Sequence, residues 1–342
     1  MRDTPSPVRW GLVGLGWVAA DFVVPAMVKS AGSQLAACLG SSPAKGQAFA
    51  ARFGVARVHT DLEALMHDSD IDAVYIALPN ALHHQAVLAA ARGKKHVLCE
   101  KPFAIHVAQA REMVAACRDA GVVLRIAHQI RLDTAVGRAR EIVRSGRLGR
   151  LAAISLERAS GLGSRTAWRE DVAQSGVIFD VGVHLLDLIQ WVSGQHFAEV
   201  SAFTHPDRRH GAPDDTVTVL GRLDGECHAV ARATREIGHA ENNLIIAGAE
   251  ATLITSALRF APEHVVRLRD HSGTTEERFP ASPAYALEVH AFEGELRGER
   301  SLLPDGEDSV QMVAVTRAVL QAIDERRSVT VPTMNESSPT IK

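Results

Sequence analysis

The sequence contains little cysteine, and its cysteines are scattered. Four occur in 342 residues, with no pair at the short spacing of metal ligands: Cys38, Cys99, Cys117 and Cys227. This pattern excludes a disulfide-stapled scaffold and a cysteine-based zinc module. We therefore expect reduced thiols in a cytoplasmic protein that folds without metals or disulfides.

Long apolar runs and an excess of one charge are also lacking. No stretch approaches the 18 or so consecutive apolar residues of a membrane span. The formal net charge is only −3 at pH 7, which gives no electrostatic reason to bind nucleic acid or an anionic membrane. These features favour a cytoplasmic protein whose partner is a small molecule.

The length of the chain predicts two domains, and the texture of the sequence changes at one place. From Val8 to about Leu124, short apolar runs alternate with amphipathic stretches of helix length. This alternation is typical of βαβ units on a parallel sheet. We predict an α/β, doubly wound Rossmann domain over residues 1–125.

After Ile126 two helical stretches are followed mostly by strand-like segments between turn residues. Asp224-Gly225, between two such segments, predicts a hairpin. We expect an α+β domain with a large, open and mostly antiparallel sheet over residues 126–332, then a flexible tail over 333–342. Because open sheets often serve as oligomer interfaces, a homo-oligomer (dimer or tetramer) is expected beside a monomer.

A glycine-rich segment, GLGWVA, directly follows the first predicted strand and opens a helical stretch. Gly14 permits a tight turn, Gly16 lets the backbone approach a pyrophosphate, and the small Ala19 lets helix and strand pack closely. Trp17 and Val18 lie where the amides of a helix N-terminus favour phosphate. The segment predicts a dinucleotide site; the alternative is a tight turn without a ligand.

The end of the second predicted strand bears on the choice of cofactor. An acidic residue there would bind the ribose hydroxyls of NAD and repel a 2′-phosphate. The sequence instead has Ser41 and Ser42, followed by Lys45. These residues favour NADP(H) over NAD(H), although Lys45 also fits a solvated helix position.

Glu100 and Lys101 follow another predicted strand, at the edge of a doubly wound sheet where ligands bind. Pro102 favours an extended conformation for the residue before it and prevents a helix from continuing. An ammonium group held there polarises a carbonyl or supplies a proton. An isolated lysine of this kind is more often simply exposed, so the assignment needs further residues.

The second domain supplies those residues. On a helix, Asp180, His184 and Asp187 fall at i, i+4 and i+7 and share one face. A histidine transfers protons near neutral pH, and a neighbouring carboxylate orients it or the substrate hydroxyl. Taken alone, the pair also fits a capping aspartate and a core histidine.

Together these motifs resemble the Gfo/Idh/MocA oxidoreductase family, which includes glucose–fructose oxidoreductase and inositol dehydrogenase. The resemblance rests on three linked elements and covers Val8 to about Pro332: Gly14-x-Gly16-x-x-Ala19, Glu100-Lys101-Pro102 and Asp180-x-Gly182-x-His184-x-x-Asp187. It implies a Rossmann domain, a second domain with a large open sheet and a substrate pocket between them. Within the family, segments such as Pro79-Asn80-x-x-His83 are most similar to the NADPH-dependent 1,5-anhydrofructose reductase branch.

The resemblance also implies roles for individual residues. Lys101 and His184 are implied as acid/base groups beside the nicotinamide, and Asp180 binds substrate and supports the histidine. Further cofactor contacts are implied for Pro79, Asn80, His83 and Glu100, and further substrate contacts for Arg131, Trp168 and Arg169. Taken by themselves, Trp168 and the two arginines fit equally well as a core tryptophan and surface arginines.

Two positions depart from the family pattern. A glycine triplet often precedes the aspartate–histidine element, whereas this chain has Gln174-Ser175-Gly176. Arginine commonly stands where this chain has Lys45. The first departure predicts a different backbone path at the pocket, and the second leaves the cofactor preference more open.

We therefore predict an NAD(P)-dependent oxidoreductase that transfers a hydride between nicotinamide and a sugar, polyol or related hydroxy/keto compound. Lys101 already supplies the positive charge that such chemistry needs, so no metal site is expected. Two alternatives remain: a glycosidase that uses nicotinamide transiently, and a sensor of the same fold that has lost its chemistry.

Overall fold

The structure is a computed structural model that describes residues 6–160, 167–237, 241–258 and 261–332. The predicted tail, residues 333–342, lies outside the described residues. The other segments singled out in the sequence fall within them.

The first part of the chain alternates strands with helices, as its apolar runs predict. In chain order the elements are β1 (Val8–Val13), α1 (Val24–Lys29), β2 (Ser33–Leu39), α2 (Pro43–Phe53), β3 (Arg57–His59), α3 (Leu62–Met66), β4 (Ala73–Ile76), α4 (His83–Arg92), β5 (His96–Cys99), α5 (Val107–Ala120) and β6 (Leu124–Ile126). The strands pair in parallel in the order β3-β2-β1-β4-β5-β6. This is the order of a doubly wound dinucleotide-binding sheet, whose switch point lies between β1 and β4.

The central strands of this sheet are apolar and buried over most of their length, because helices cover both faces. Leu12, Tyr75 and Leu98, on the three central strands, are completely buried. Helix α5 ends at Ala120, and Gly121 follows in the left-handed conformation with a φ of 69°. The predicted Rossmann fold of this part of the chain is confirmed.

In the part that the structure describes, the rest of the chain contains the strands of a second sheet and four further α-helices. Its elements are α6 (Thr134–Arg144), β7 (Leu151–Ala159), α7 (Val183–Ser193), β8 (Phe197–His205), β9 (Thr216–Leu223), β10 (His228–Thr234), β11 (Leu244–Gly248), β12 (Ala251–Thr255), β13 (Glu263–Asp270), β14 (Gly273–Pro280), α8 (Ala284–Leu296), α9 (Gly306–Glu325) and β15 (Val329–Thr330). Over the described residues the order is β14-β13-β12-β11-β7-β10-β9-β8-β15. The β7–β10 pair is parallel and the other neighbouring pairs are antiparallel, so the predicted mostly antiparallel sheet is confirmed.

One face of this sheet carries the core. Along β11, Leu244 and Ile246 are buried while Ile245 between them is exposed, which is the alternation of a half-buried strand. The buried side chains pack against α6 and α7. The predicted hairpin is present, because β9 and β10 pair antiparallel across Asp224-Gly225.

The compact units do not follow the continuous ranges 1–125 and 126–332. Among the described residues, 283–310 pack with 6–129 and form the first unit, and those of 130–282 form the second unit with 311–332. The reason is α8, which the sequence pattern did not predict. Its Glu293 is fully buried and accepts a hydrogen bond from Trp10 Nε1 of β1 at 3.1 Å.

Candidate active site

The glycine loop lies directly after β1, at the switch point of the parallel sheet. Gly14 has a φ of 105°, and a β-carbon at this position would overlap the Ala77 carbonyl at the end of β4. At Gly16, by contrast, a β-carbon would meet no atom within 4 Å. The loop therefore needs glycine at Gly14 for its own fold and leaves open space at Gly16, which fits the approach of a pyrophosphate.

The turn after the loop is wider than an α-helical turn. Residues Ala19–Val23 form a π-helical turn that leads into α1, and Ala20 N donates to Gly16 O at 3.0 Å. The Ala19 side chain is completely buried, as its proposed packing role requires. Trp17 is largely exposed and meets Phe22 edge to face, with ring centroids 5.6 Å apart.

Two glycine substitutions separate folding from cofactor binding. Gly14→Ala should lower the free energy of unfolding by roughly 1–3 kcal/mol, because it forces a side chain into a strained backbone conformation. Gly16→Ala should leave unfolding unchanged and weaken binding of the expected nicotinamide cofactor by about tenfold, which is about 1.4 kcal/mol. Denaturant unfolding and fluorescence titration measure the two effects. An unaltered affinity in Gly16→Ala would contradict the assignment of this loop.

The end of β2 presents the residues considered for cofactor choice. Ser42 is the N-cap of α2, because its hydroxyl oxygen accepts a hydrogen bond from Lys45 N at 3.4 Å. Ser41 and the Lys45 side chain are exposed at this edge of the sheet. The capping hydrogen bond therefore explains a serine at position 42, whereas the fold by itself does not account for Ser41 or Lys45.

His83 joins two loops at the same edge of the sheet. Its ring is completely buried, with Nδ1 2.9 Å from Pro102 O and Nε2 3.0 Å from Leu78 O. Burial lowers the pKa of this histidine. Through these two contacts His83 ties the loop after β4, which carries Pro79 and Asn80, to the loop after β5. The cofactor contact implied for His83 stays a prediction.

Glu100 and Lys101 follow β5 as predicted, but the glutamate is turned into the protein. Glu100 Oε1 lies 2.9 Å from the Tyr75 hydroxyl, and Oε2 accepts a hydrogen bond from Lys101 N at 3.2 Å. Burial raises the pKa of Glu100, and the nearby charge of Lys101 opposes that rise. Glu100 therefore supports the loop that carries Lys101.

In the second unit, a buried ion pair fixes the start of the histidine helix. The Arg208 guanidinium pairs with Asp214, and the other carboxylate oxygen of Asp214 accepts a hydrogen bond from Ile178 N at 2.9 Å. Arg208 also donates to the Ser175 carbonyl at 2.7 Å. A β-carbon on Gly176, whose φ is 115°, would collide with this pair. The third glycine of the family triplet is thus required here, while Ser175 replaces the second.

Asp180 lies in a π-helical turn, Ile178–Gly182, that runs directly into α7. Two arginines bind its carboxylate: Arg169 Nη1 donates to Oδ2 at 2.8 Å, and Arg235 binds the same oxygen. Burial lowers the pKa of Arg169. Arg235, which directly follows β10, was missed in the sequence because a lone arginine after a strand has no distinctive pattern.

Arg131 is held by a buried ion pair. Its guanidinium forms two buried hydrogen bonds with Asp187, Nε to Oδ2 at 2.8 Å and Nη2 to Oδ1 at 2.5 Å. The two side chains are 7% and 3% exposed. Asp187 shares α7 with His184, so this ion pair anchors the histidine helix. The substrate contact implied for Arg131 stays a prediction.

Trp168 and Arg169 lie in a short 3₁₀ turn, Ala167–Glu170, with the Arg169 guanidinium 4.8 Å from the Trp168 ring centroid. Ser175 Oγ donates to the Arg169 carbonyl at 2.7 Å. The turn that carries both residues is therefore tied to the segment before the histidine helix.

The described residues contain neither a metal-binding cluster nor a membrane-spanning helix. Within the described ranges, no group of three or more histidine, cysteine, aspartate or glutamate side chains is arranged to hold a metal ion. Nor does any described helix have the length and apolar character needed to cross a membrane.

The strand order and the glycine loop at the switch point define a dinucleotide-binding oxidoreductase. A family model described as "Oxidoreductase family, NAD-binding Rossmann fold" matches residues 8–128, and the GFO/IDH/MocA C-terminal domain model matches residues 136–254. The chain belongs to the Gfo/Idh/MocA oxidoreductase family, as its motifs predict. It is an NAD(P)-dependent enzyme of the dehydrogenase and reductase type.

Individual relatives are similar to this chain over nearly its whole length. The 1,5-anhydro-D-fructose reductase of Ensifer adhaerens is 34% identical over 92% of this chain and 96% of the relative. Aldose-aldose oxidoreductase from Caulobacter crescentus, solved with glycerol, has a TM-score of 0.84 at 24% identity, covering 95% of this chain and 99% of that one. Levoglucosan dehydrogenase in complex with NADH gives 0.84 at 22%, covering 96% and 100%. The two structures establish the fold.

Proposed function

We propose that this enzyme transfers a hydride between NADP(H) and a keto-sugar, polyol or related compound, with Lys101 and His184 as acid/base groups and Asp180 as a substrate ligand. The observation that carries the proposal is the position of Lys101, in the loop after β5, at the sheet edge where the glycine loop opens. The similarity to an anhydrofructose reductase supports the substrate class.

The cofactor and the side chains divide the chemistry. Nicotinamide, when bound, supplies or accepts the hydride. Lys101 and His184 hydrogen-bond the reacting oxygen, stabilise its developing negative charge and exchange its proton. Asp180, whose carboxylate is bound by Arg169 and Arg235, accepts hydrogen bonds from substrate hydroxyls. His83 and Glu100 support these loops from inside the protein.

The preference for NADP(H) depends on Lys45 and Ser41. Lys45→Glu should weaken NADPH binding by about tenfold or more and leave NADH binding nearly unchanged, because a carboxylate repels the 2′-phosphate. Fluorescence titration of the wild type and the variant with both cofactors measures this. Lys29→Glu, at the end of α1, is the control for the same charge change. If Lys45→Glu weakened the binding of NADPH and NADH equally, the argument for a preference for NADP(H) would fail.

Turnover distinguishes the proposed reaction from its alternatives. A panel of keto-sugars and polyols should change the nicotinamide absorbance of the enzyme–cofactor mixture. Release of sugar from glycosides with no net absorbance change would support a nicotinamide-dependent glycosidase. Cofactor binding without any reaction would support a sensor.

The cytoplasmic location and the homo-oligomer also remain proposals. All four cysteines are buried free thiols, which suits a reducing compartment. On the face of the second sheet opposite the core, Leu220 and Ile245 are exposed, and Phe203 is 73% exposed. We propose that a second copy of the chain covers this face.

A further inference from the structure

Three polar side chains meet inside the first unit, next to Lys101. The Tyr75 hydroxyl lies 2.9 Å from Glu100 Oε1 and 3.0 Å from Glu288 Oε1. Tyr75 and Glu288 are completely buried and Glu100 nearly so. Glu288 comes from α8, the helix that joins this unit from a distant part of the sequence. Two carboxyl groups therefore share one hydroxyl in a buried region of the first unit.

The number of protons in this group is limited. A tyrosine hydroxyl has one proton, so it donates to only one of the two carboxyl groups. Burial raises the pKa of Tyr75 well above its usual value, so the hydroxyl keeps that proton. The second short contact then requires a protonated carboxyl that donates to the tyrosine oxygen. Two ionised carboxylates would instead repel each other across a single donor.

The contacts indicate which carboxyl group holds the proton. Glu100 Oε2 accepts a hydrogen bond from Lys101 N, and the positive charge of Lys101 stabilises an ionised Glu100. Glu288 Oε2 is buried and has no hydrogen-bond partner among the described residues. Burial and the neighbouring Glu100 raise the pKa of Glu288 well above its usual value. An ionised Glu288 would bury charge without a donor, so the proton belongs there.

We propose that Glu288 holds a proton and donates it in a hydrogen bond to Tyr75, which in turn donates to an ionised Glu100 beside Lys101. Tyr75 and Glu288 are then positioning residues. They hold the Glu100 side chain in place, and because Glu288 is neutral, the cluster next to Lys101 carries a single negative charge. The proposal rests on the proposed role of Lys101 in catalysis. The other ionisable groups that act on this cluster are Tyr285 on Tyr75, Cys99 near Glu100 and Lys101 on both glutamates.

Proton linkage tests the proton on Glu288 without using activity. Glu288 is protonated in the folded protein and ionised in the unfolded chain, so unfolding releases one proton. The contribution of Glu288 to the free energy of unfolding therefore falls as pH rises above the ordinary glutamate pKa of about 4.3. Relative to E288Q, the unfolding constant of the wild type should increase about tenfold per pH unit between about pH 5 and pH 7. E299Q, which removes an exposed carboxylate just after α8, should follow the wild type. Identical slopes in wild type and E288Q would overturn the proposal.

A spectroscopic readout applies even if E288Q does not fold. At about pH 7.5, where exposed carboxyl groups are ionised, the wild type should show the carbonyl stretch of a protonated carboxylic acid. The band should shift in E288D and persist in E299Q. Its absence from the wild type, or an unchanged band in E288D, would contradict the assignment.

The pH profile of turnover tests the effect on Lys101. E288Q replaces one neutral group by another, so the alkaline limb of the profile should stay in place. E100Q removes the single charge, and the limb should move to lower pH by about one unit. A comparable shift in E288Q would show that Glu288 is ionised. If Lys101 is not an acid/base group, E100Q will not move the limb, while the unfolding slopes still report on Glu288.

Discussion

Lys101→Met should lower turnover by about 10²- to 10⁴-fold and leave NADPH affinity within about twofold. General acid/base catalysis contributes a factor of this size, and stabilisation of the developing oxyanion adds to it. Methionine keeps the length of the side chain and removes the charge. The affinity should persist because the glycine loop and the end of β2 lie on other strands. Single-turnover kinetics with saturating cofactor and fluorescence titration measure the two quantities separately.

A matched lysine is available near the opposite end of the same strand, β5. Lys94 is exposed just before the amino end of β5, at the opposite edge of the sheet from Lys101. Lys94→Met should leave both turnover and affinity unchanged. If Lys101→Met retained wild-type turnover, Lys101 would be a binding or structural residue and the acid/base assignment would fail.

Arg131→Met should destabilise the second unit by roughly 3–5 kcal/mol. The substitution leaves Asp187 buried without its bidentate arginine, and an uncompensated buried charge is costly. Denaturant unfolding monitored by a probe in the second unit measures the loss. A residue that only lined the substrate pocket would give the opposite pattern: unchanged unfolding and a higher KM.

The double variant Arg131→Met with Asp187→Met provides the internal check. Replacing both members of a buried ion pair by apolar side chains is often neutral, so most of the lost stability should return. Arg144→Met, in the exposed last turn of α6, should stay within about 0.5 kcal/mol of the wild type. A double variant as unstable as Arg131→Met would show that other partners of this pair dominate.

The fold of the first unit was readable from the sequence because its determinants are local. Strands buried on both faces appear as apolar runs, and the glycine at Gly14 marks a backbone conformation that other residues rarely adopt. The same holds for the hairpin at Asp224-Gly225. The order of three motifs was enough to identify the family, since each is tied to one turn of the fold.

Helix α8 was not readable because its contacts are distant in sequence. Glu288 and Glu293 look like residues of a solvated helix face, yet both are fully buried. Their hydrogen-bond partners, Tyr75 and Trp10, lie more than 200 residues away along the chain. A charged residue reveals its burial only through such partners, so the boundary of the first unit could not be placed correctly.

The candidate site shows the same division. Motif membership proposed Lys101, Asp180 and His184 as site residues, whereas the orientation of Arg131 and His83 depended on tertiary partners. Arg235 binds Asp180, which lies 55 residues earlier in the chain, and no sequence pattern indicates this contact. The sequence therefore predicted which segments carry the candidate site residues. It did not predict which side chains form the ion pairs and hydrogen bonds that hold those segments in place.

The central claim is that a hydride passes between nicotinamide and a substrate carbon. The most direct measurement uses NADPH deuterated on its transferable hydrogen, together with a keto-sugar that the wild type consumes, followed by mass spectrometry of the product. We expect one deuterium on the new carbon–hydrogen bond, formed at a greatly reduced rate in Lys101→Met. A product without deuterium would contradict the account.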